Sequence, residues 1–232
     1  MRPSPASCRS ASRAARAAIA LFALVARPGP STASGAGAVA GQVRITKDGT
    51  PKSDRSFAVI YLEGASEPAR PAAPTPKIIQ RNLAFLPDLV VVRRGETVEF
   101  PNEDKVFHNV FSVSEGAKFD LGLYKSGSSK VVTFRQPGVI DVYCNIHPDM
   151  VAKILVVDSA HFAVTAKDGS FRIGGVPPGK YGVVAWQAHG EARHGTVTVT
   201  AGATTQVSFD LEEVEASRRH LRKDNTPYGR YK

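Results

Sequence analysis

Cysteine is scarce in this chain of 232 residues, which contains only Cys8 and Cys144. Cys8 lies in an N-terminal stretch that we expect to be removed on export. Cys144 then has no partner for an internal disulfide, although exported proteins meet an oxidising environment. A free thiol is prone to oxidation there. The sequence therefore indicates that Cys144 either binds a metal or is a buried, inert residue.

The N-terminal stretch has the pattern of a secretion signal, predicted at residues 1–38. Arginines precede a short apolar run at residues 17–26, and small residues follow, with cleavage expected after Ala38 or Ala40. The apolar run is too short to span a bilayer comfortably, so we expect no stable membrane span after cleavage. An uncleaved anchor is the alternative. The pattern predicts a periplasmic or otherwise exported bacterial protein.

Several functional classes lack their sequence signatures. After residue 38 there is no helical periodicity longer than about three turns, no glycine-rich phosphate loop and no nucleophile elbow. Removal of residues 1–38 leaves 25 basic and 21 acidic residues, a net charge of only +4. No basic run with interleaved aromatics occurs, which argues against a nucleic-acid partner. The mild positive charge suits an acidic protein partner.

Short apolar stretches separated by turn residues predict an all-β protein made of two β-sandwiches. Residues 41–62 and the residues around Asp168-Gly169 each have the pattern of a β-hairpin. The charged tail is interpreted as a solvated end, with a short helix in its first half. The predicted segments are 41–66 and 159–212 for one sandwich, 67–82 for a Pro/Ala-rich linker, 83–158 for the other sandwich and 213–232 for the tail.

Seven consecutive residues, Cys144-Asn145-Ile146-His147-Pro148-Asp149-Met150, contain a thiolate, an imidazole and a thioether. His108, upstream, supplies a second imidazole. One thiolate, two imidazoles and a weak thioether are the ligands of a blue-copper site, and they suit an ion that alternates between Cu(I) and Cu(II). Each residue alone has a structural alternative, such as a turn histidine or a core methionine. Together they predict a site for one copper ion.

The residues Phe107-His108-Asn109-Val110 and the stretch 138–151 resemble the cupredoxins, the small blue-copper proteins. The resemblance covers residues 83–158 and implies a Greek-key β-sandwich. The short spacing from His147 to Met150 is similar to that of amicyanins rather than plastocyanins. The resemblance implies that Asn109 bridges the His108 strand to the ligand loop by hydrogen bonds. The implied copper ligands are His108, Cys144 and His147 in equatorial positions and Met150 in the axial position.

The stretches 41–62, 166–173 and 176–181 resemble a different family, the carboxypeptidase-regulatory-like or transthyretin-type β-sandwich. If both halves form one domain, the cupredoxin is inserted into its first connection. The whole layout resembles bacterial exported proteins described as methylamine-utilisation-like. Residues 119–124 are also similar to a stretch of those proteins, and Tyr124 is a candidate neighbour of the copper site.

The resemblance implies an exported type 1 copper protein that transfers single electrons to a protein partner. Two alternatives stay open: a copper storage or delivery module with a copper-transfer partner, and a non-redox β-sandwich that mediates contacts. A stand-alone enzyme is not expected, because the histidine pairs of catalytic copper sites and a second cysteine for a dinuclear centre are absent. The acidic pairs Glu103-Asp104 and Glu212-Glu213 are interpreted as solvated turn and terminal residues.

Overall fold

The computed structural model describes residues 35–65, 74–214 and 220–228, which fall within one compact unit of the chain. These residues form seventeen strands and no helix, so the predicted all-β class is confirmed. The strands are β1 (Gly37–Lys47), β2 (Thr50–Pro51), β3 (Val59–Glu63), β4 (Ile79–Arg81), β5 (Ala84–Leu86), β6 (Leu89–Arg93), β7 (Thr97–Pro101), β8 (His108–Ser112), β9 (Phe119–Tyr124), β10 (Ser129–Thr133), β11 (Gly138–Tyr143), β12 (Val151–Val157), β13 (Phe162–Val164), β14 (Ser170–Val176), β15 (Gly179–Trp186), β16 (Arg193–Val199) and β17 (Thr204–Glu213).

The first and last strands of the chain build one sandwich, called the flanking sandwich (β1–β3 and β13–β17). One sheet has the order β14-β1-β17, with β2 paired to β1, and the other has the order β13-β3-β15-β16. In β1, buried Val43 and Ile45 alternate with exposed Arg44, as expected for a strand with one face on a core. Strand β17 runs parallel to β1 from Ala38↔Thr204 to Lys47↔Glu213.

The strands between them build the central sandwich (β4–β12). Its large sheet has the order β6-β12-β11-β8-β9, and the β7–β10 pair and the β4–β5 hairpin supply the remaining strands. The fully buried rings of Phe100 and Phe134 pack with Ile140 and Ile154 in its core. Burial of one such side chain contributes about 1.5–3 kcal/mol to stability.

The turn predicted within residues 41–62 is confirmed, because β1 pairs with β2 across Asp48-Gly49. The predicted pairing of β1 with the strand at residues 57–62 and the hairpin around Asp168-Gly169 are wrong. Strand β3 pairs with β13 and β15 and not with β1, and β13 and β14 lie in different sheets. A turn sequence reverses the chain locally, but it does not decide which sheet the next strand joins. The Asp168-Gly169 turn is instead held against β1, because the carbonyl of Gly169 accepts a hydrogen bond from the N–H of Val43.

Strands β1 and β4 extend into two segments that were predicted to lie outside the sandwiches, the signal and the linker. Strand β1 begins at Gly37, and the N–H of Ala38 donates to the carbonyl of Ala203, so the last residues of the predicted signal 1–38 belong to a sheet. Residues 1–34 of that predicted signal lie outside the described residues. Strand β4 lies in the predicted linker 67–82. The described ranges contain no helix with the length and hydrophobicity to cross a membrane.

Strand β12 carries the contact between the two sandwiches. Ile154 and Val156 belong to the central core, whereas Leu155 and Val157 pack with Val59 of the flanking sandwich. Because both faces of β12 are buried, its sequence is apolar apart from Lys153 and does not alternate. The loop from Cys144 to Met150 ends directly before this strand, so it is attached to a strand that is buried on both faces.

Gly41 is a position where the strand spacing requires glycine. A Cβ atom there would lie 1.7 Å from the backbone oxygen of Val207 in β17. We therefore expect Gly41→Ala to lower the free energy of unfolding by about 1–3 kcal/mol, because the two strands must move apart. Gly174→Ala is the control, since nothing lies within 4 Å of its added Cβ. Urea unfolding of both variants makes the comparison, and equal stability would contradict this account.

Candidate metal centre

Strand pairing brings the predicted ligands together from two parts of the chain. Cys144 to Met150 form the loop between β11 and β12, whose last and first residues pair as Tyr143↔Val151. Strand β8 lies beside β11 through the antiparallel pair Phe111↔Tyr143. His108, three residues before Phe111, therefore comes next to the loop that follows Tyr143.

Two imidazoles and one thiol converge on one point. The Nδ1 atoms of His108 and His147 are 3.0 Å apart, and the sulfur of Cys144 lies 3.9 Å and 3.6 Å from them, respectively. A metal ion bonds nitrogen and sulfur at about 2.0–2.3 Å, which separates its ligand atoms by roughly 3–4 Å. Within the described residues, this is the one group of three histidine, cysteine or acidic side chains with such spacing. The donor set fits copper in both chemistry and size.

Asp104 orients His108. The interpretation of Asp104 as a solvated turn residue did not predict this role. The Nε2 atom of His108 lies 2.8 Å from Oδ2 of Asp104, whose side chain is only 12% exposed. A ring that donates from Nε2 to a carboxylate keeps the lone pair of Nδ1 free for a metal. An acidic residue in the loop just before a ligand strand is the sequence signal that points to this role. The correction concerns Asp104 alone, because Glu103 is exposed and pairs with Arg81.

The carboxylate of Asp104 stays ionised although it is largely buried. Burial by itself would raise its pKa, but hydrogen bonds from the N–H of Leu83, from the His108 ring and from the N–H of Asn82 together hold the pKa below its ordinary value. The anchor of His108 is thus a charged acceptor, which makes the stronger class of hydrogen bond.

Exposure differs between the ligand candidates. Cys144, Met150 and His108 have no exposed surface, whereas His147 is only half-buried. Burial, and next the electrostatic interaction with His108, lower the pKa of His147, while Asp104 acts in the opposite direction. A lowered pKa keeps the imidazole neutral and able to bind a metal at neutral pH.

Met150 closes the ligand loop. Its N–H donates to the carbonyl of His147, and its own carbonyl accepts the N–H of Cys144, each at 3.2 Å. Its side chain is part of the central core that also contains Cys144. The fold thus places the thioether residue at the base of the loop, beside the thiol; its role as an axial ligand stays a prediction.

Asn109 does not form the predicted side-chain bridge to the ligand loop. Its amide nitrogen donates to Oδ1 of Asp120 in β9 at 2.6 Å, and its buried Oδ1 has no hydrogen-bond partner. Tyr124 pairs with His108 across β8 and β9, so it does border the site. Its hydroxyl donates to the carbonyl of Phe100, and burial raises its pKa. Tyr124 is therefore a neutral packing residue behind His108.

The described part of the tail, residues 220–228, contacts the ligand loop, so its interpretation as a solvated end is wrong for these residues. The ring of His220 stacks on Tyr143, the last residue before Cys144. The hydroxyl of Tyr228 donates to the carbonyl of Cys144, and the N–H of Lys223 donates to the side chain of Asn145. Side-chain contacts between positions so distant in sequence leave no signal in a single sequence.

Two family models match parts of this chain. Residues 75–157 match the family model of copper binding proteins of the plastocyanin/azurin family, and residues 150–212 match that of the carboxypeptidase regulatory-like domain. The chain is also similar to a purple cupredoxin from Nitrosopumilus maritimus, with 26% identity over 35% of this chain and 98% of that one and a TM-score of 0.32. Amicyanin from Paracoccus versutus is 25% identical over 37% of this chain and 83% of that one, with a TM-score of 0.33. A copper-containing nitrite reductase from Thermus scotoductus is 26% identical over 40% of this chain and 25% of that one, with a TM-score of 0.36.

Residues 75–157 thus form a copper-binding domain of the cupredoxin type, with copper as its cofactor. More particularly, the chain combines a copper-binding domain of the plastocyanin/azurin family with a carboxypeptidase regulatory-like domain. His108, Cys144 and His147 lie close together as the candidate copper site of the first of these domains.

The orienting role of Asp104 predicts its effect on copper binding. We expect Asp104→Ala to weaken copper affinity about 10–100-fold, because the His108 ring loses the acceptor that fixes its tautomer. Competition with a chelator of known affinity measures the change. Glu103→Ala is the matched control, since it removes the neighbouring carboxylate on the surface. An equal loss in both variants would assign the effect to net charge and not to ring orientation.

Proposed function

We propose that this protein is an exported electron carrier that holds one type 1 copper ion with His108, Cys144 and His147, with Met150 as the axial ligand. The observation that carries the proposal is the convergence of two imidazole nitrogens and one thiol sulfur at 3.0–3.9 Å. When bound, copper would supply a one-electron couple between Cu(I) and Cu(II).

The surroundings of the site favour electron transfer because they hold the ligands in one arrangement. His108 is fixed by strand β8 and by Asp104, and the loop from Cys144 to Met150 is closed by two backbone hydrogen bonds. Preorganised ligands need little rearrangement when the charge of the site changes, which favours rapid transfer. The burial of Cys144 also keeps solvent and oxidants from its sulfur.

The half-buried ring of His147 suggests where electrons enter and leave. The other three proposed ligands have no exposed surface, so this ring offers the shortest path to a partner. Three apolar side chains near Asp104 are exposed. They belong to Leu83, whose N–H donates to Asp104, and to Val106 and Phe107 in the same loop as Asp104. Clustered exposed apolar residues are typical of protein contact sites. We propose a protein redox partner for this end of the molecule.

The proposed ligand set leaves little room for catalysis at the metal. With Met150 in the axial position, three buried side chains and His147 would occupy the coordination sphere. A catalytic metal site keeps an open position for water or substrate. We therefore propose no enzymatic activity for the chain by itself, and no nucleic-acid partner.

We also propose that residues 41–66 and 159–212 form one carboxypeptidase-regulatory-like domain, with the cupredoxin at 83–158 inserted between its parts. The pairing of β1 with β14 and β17, and of β3 with β13 and β15, supports this organisation. Cleavage of the signal before strand β1, which begins at Gly37, and a periplasmic location belong to the same proposal. N-terminal sequencing of the secreted protein tests the cleavage.

The copper-loaded protein is expected to show the intense absorption of a thiolate-to-copper transition and the electron paramagnetic resonance signal of type 1 copper. Cys144→Ser should abolish the absorption band, because the oxygen of serine cannot replace the thiolate. His194→Ala is the control, since His194 is exposed on β16 in the other sandwich. A folded, copper-treated protein without colour would refute the proposed site. Copper transfer to a partner without reversible reduction would favour the storage or delivery function.

Met150→Leu tests the axial position. We expect this variant to keep its copper and its colour, because leucine fills the buried volume and the three other ligands remain. Its reduction potential should rise, because a weak donor that helps to stabilise the more highly charged Cu(II) is lost. Voltammetry of the two proteins measures the difference. An unchanged potential would show that Met150 is a core residue only.

A further inference from the structure

Residues 220–228, here called the C-terminal strap, cover the outside of the ligand loop. The ring of His220 stacks on the ring of Tyr143, with centroids 4.1 Å apart and planes inclined by 20°. The Nε2–H of His220 donates to the carbonyl of Pro148, at 2.8 Å. This contact restrains the residue that directly follows His147.

Tyr228 holds the other end of the same loop. Its hydroxyl donates to the carbonyl of Cys144, and its ring meets His220 edge-on, with centroids 5.1 Å apart. The strap therefore satisfies the carbonyl of Cys144 and that of Pro148, which follows the half-buried His147. In a loop without the strap, water would have to occupy both acceptors.

Lys223 ties the strap to the rest of the site. Its N–H donates to Oδ1 of Asn145 at 2.9 Å, and its ammonium group binds Oδ2 of Asp120 at 2.6 Å. The other oxygen of Asp120 accepts the amide of Asn109, which directly follows His108. The strap thus links the ligand loop and the strand of the upstream histidine through one carboxylate.

The strap has a defined shape of its own. The N–H of Arg222 donates to the carbonyl of Thr226, and the N–H of Asn225 donates back to the carbonyl of Arg222. The guanidinium of Arg222 also lies over the ring of Tyr228, 5.3 Å from its centroid. This turn brings His220 and Tyr228 to the same side, where both reach the loop.

We propose that His220 and Tyr228 are positioning residues for the copper site: the strap restrains the ligand loop and excludes water from the sulfur of Cys144. The effect on copper rests on the proposed function, whereas the shielding of the thiol exists without metal. The oxidised site carries one positive charge more than the reduced site. Exclusion of water disfavours that extra charge, so the strap raises the reduction potential.

The first test uses the metal-free, full-length protein and the alkylation rate of Cys144, located by peptide mass. Tyr228→Phe removes only the hydroxyl, which donates to the carbonyl of Cys144 and also lies 3.3 Å from Nδ1 of His220. Loss of the hydrogen bond to Cys144, worth about 1 kcal/mol, should by itself accelerate alkylation roughly fivefold. Deletion of residues 220–232 should accelerate it further. Tyr181→Phe is the matched control, because it removes a similar bond from a tyrosine hydroxyl to the carbonyl of Pro177 in the flanking sandwich.

The second test compares the copper-loaded proteins by voltammetry. Tyr228→Phe and His220→Phe, which keeps an aromatic ring against Tyr143, should both lower the reduction potential. A threefold change in the equilibrium ratio of the oxidised and reduced forms corresponds to about 28 mV, since a tenfold change is 59 mV for one electron. Tyr181→Phe should leave the potential unchanged.

The two tests separate this inference from the proposed function. If no variant binds copper but Tyr228→Phe exposes Cys144 to alkylation, the electron-carrier proposal fails and the shielding by the strap stands. If copper binds and alkylation is equally slow in the wild type, in Tyr228→Phe and in the deletion, the strap inference is overturned. Equal acceleration in Tyr181→Phe would also overturn it, because the effect would then be one of general stability.

Discussion

The burial of β12 on both faces is the constraint on which the rest of the structure depends. One face completes the central core and the other packs against the flanking sandwich. The strand begins at Val151, directly after the ligand loop, and pairs along its length with β11, which ends just before Cys144. Rigid placement of the loop is therefore a consequence of core packing, and the candidate metal site takes its geometry from a strand that is buried on both faces.

The site itself combines a short-range and a long-range element. Cys144, His147 and Met150 come from one hairpin loop, whereas His108 and its orienting partner Asp104 come from β8 and the segment before it. The carboxylate orients the His108 ring, two backbone hydrogen bonds close the loop, and Tyr228 contacts the loop from outside. Such restraints keep the ligands in place without help from the metal, which is the property that a one-electron carrier requires.

Much of this protein was accessible from the sequence because the relevant information is local. The alternation of apolar residues predicted the β-class, and the spacing of Cys144, His147 and Met150 predicted a loop able to surround a metal ion, with copper as the matching cofactor. The comparisons confirm the two domain families. The hairpins failed because turn residues encode a reversal of the chain, while the choice of sheet depends on which hydrophobic faces must be covered.

Only the tertiary structure decided which distant residues support the site. Asp104 is an ordinary turn acid in sequence, and its meeting with the Nε2 atom of His108 depends on how the loop before β8 folds back. Tyr228 reaches Cys144 across 84 positions, and no periodicity or spacing encodes that contact. The sequence by itself determined the ligand chemistry, since donor atoms belong to residue types. The orientation and shielding of those donors required the folded chain, because they arise from packing between segments that are far apart in sequence.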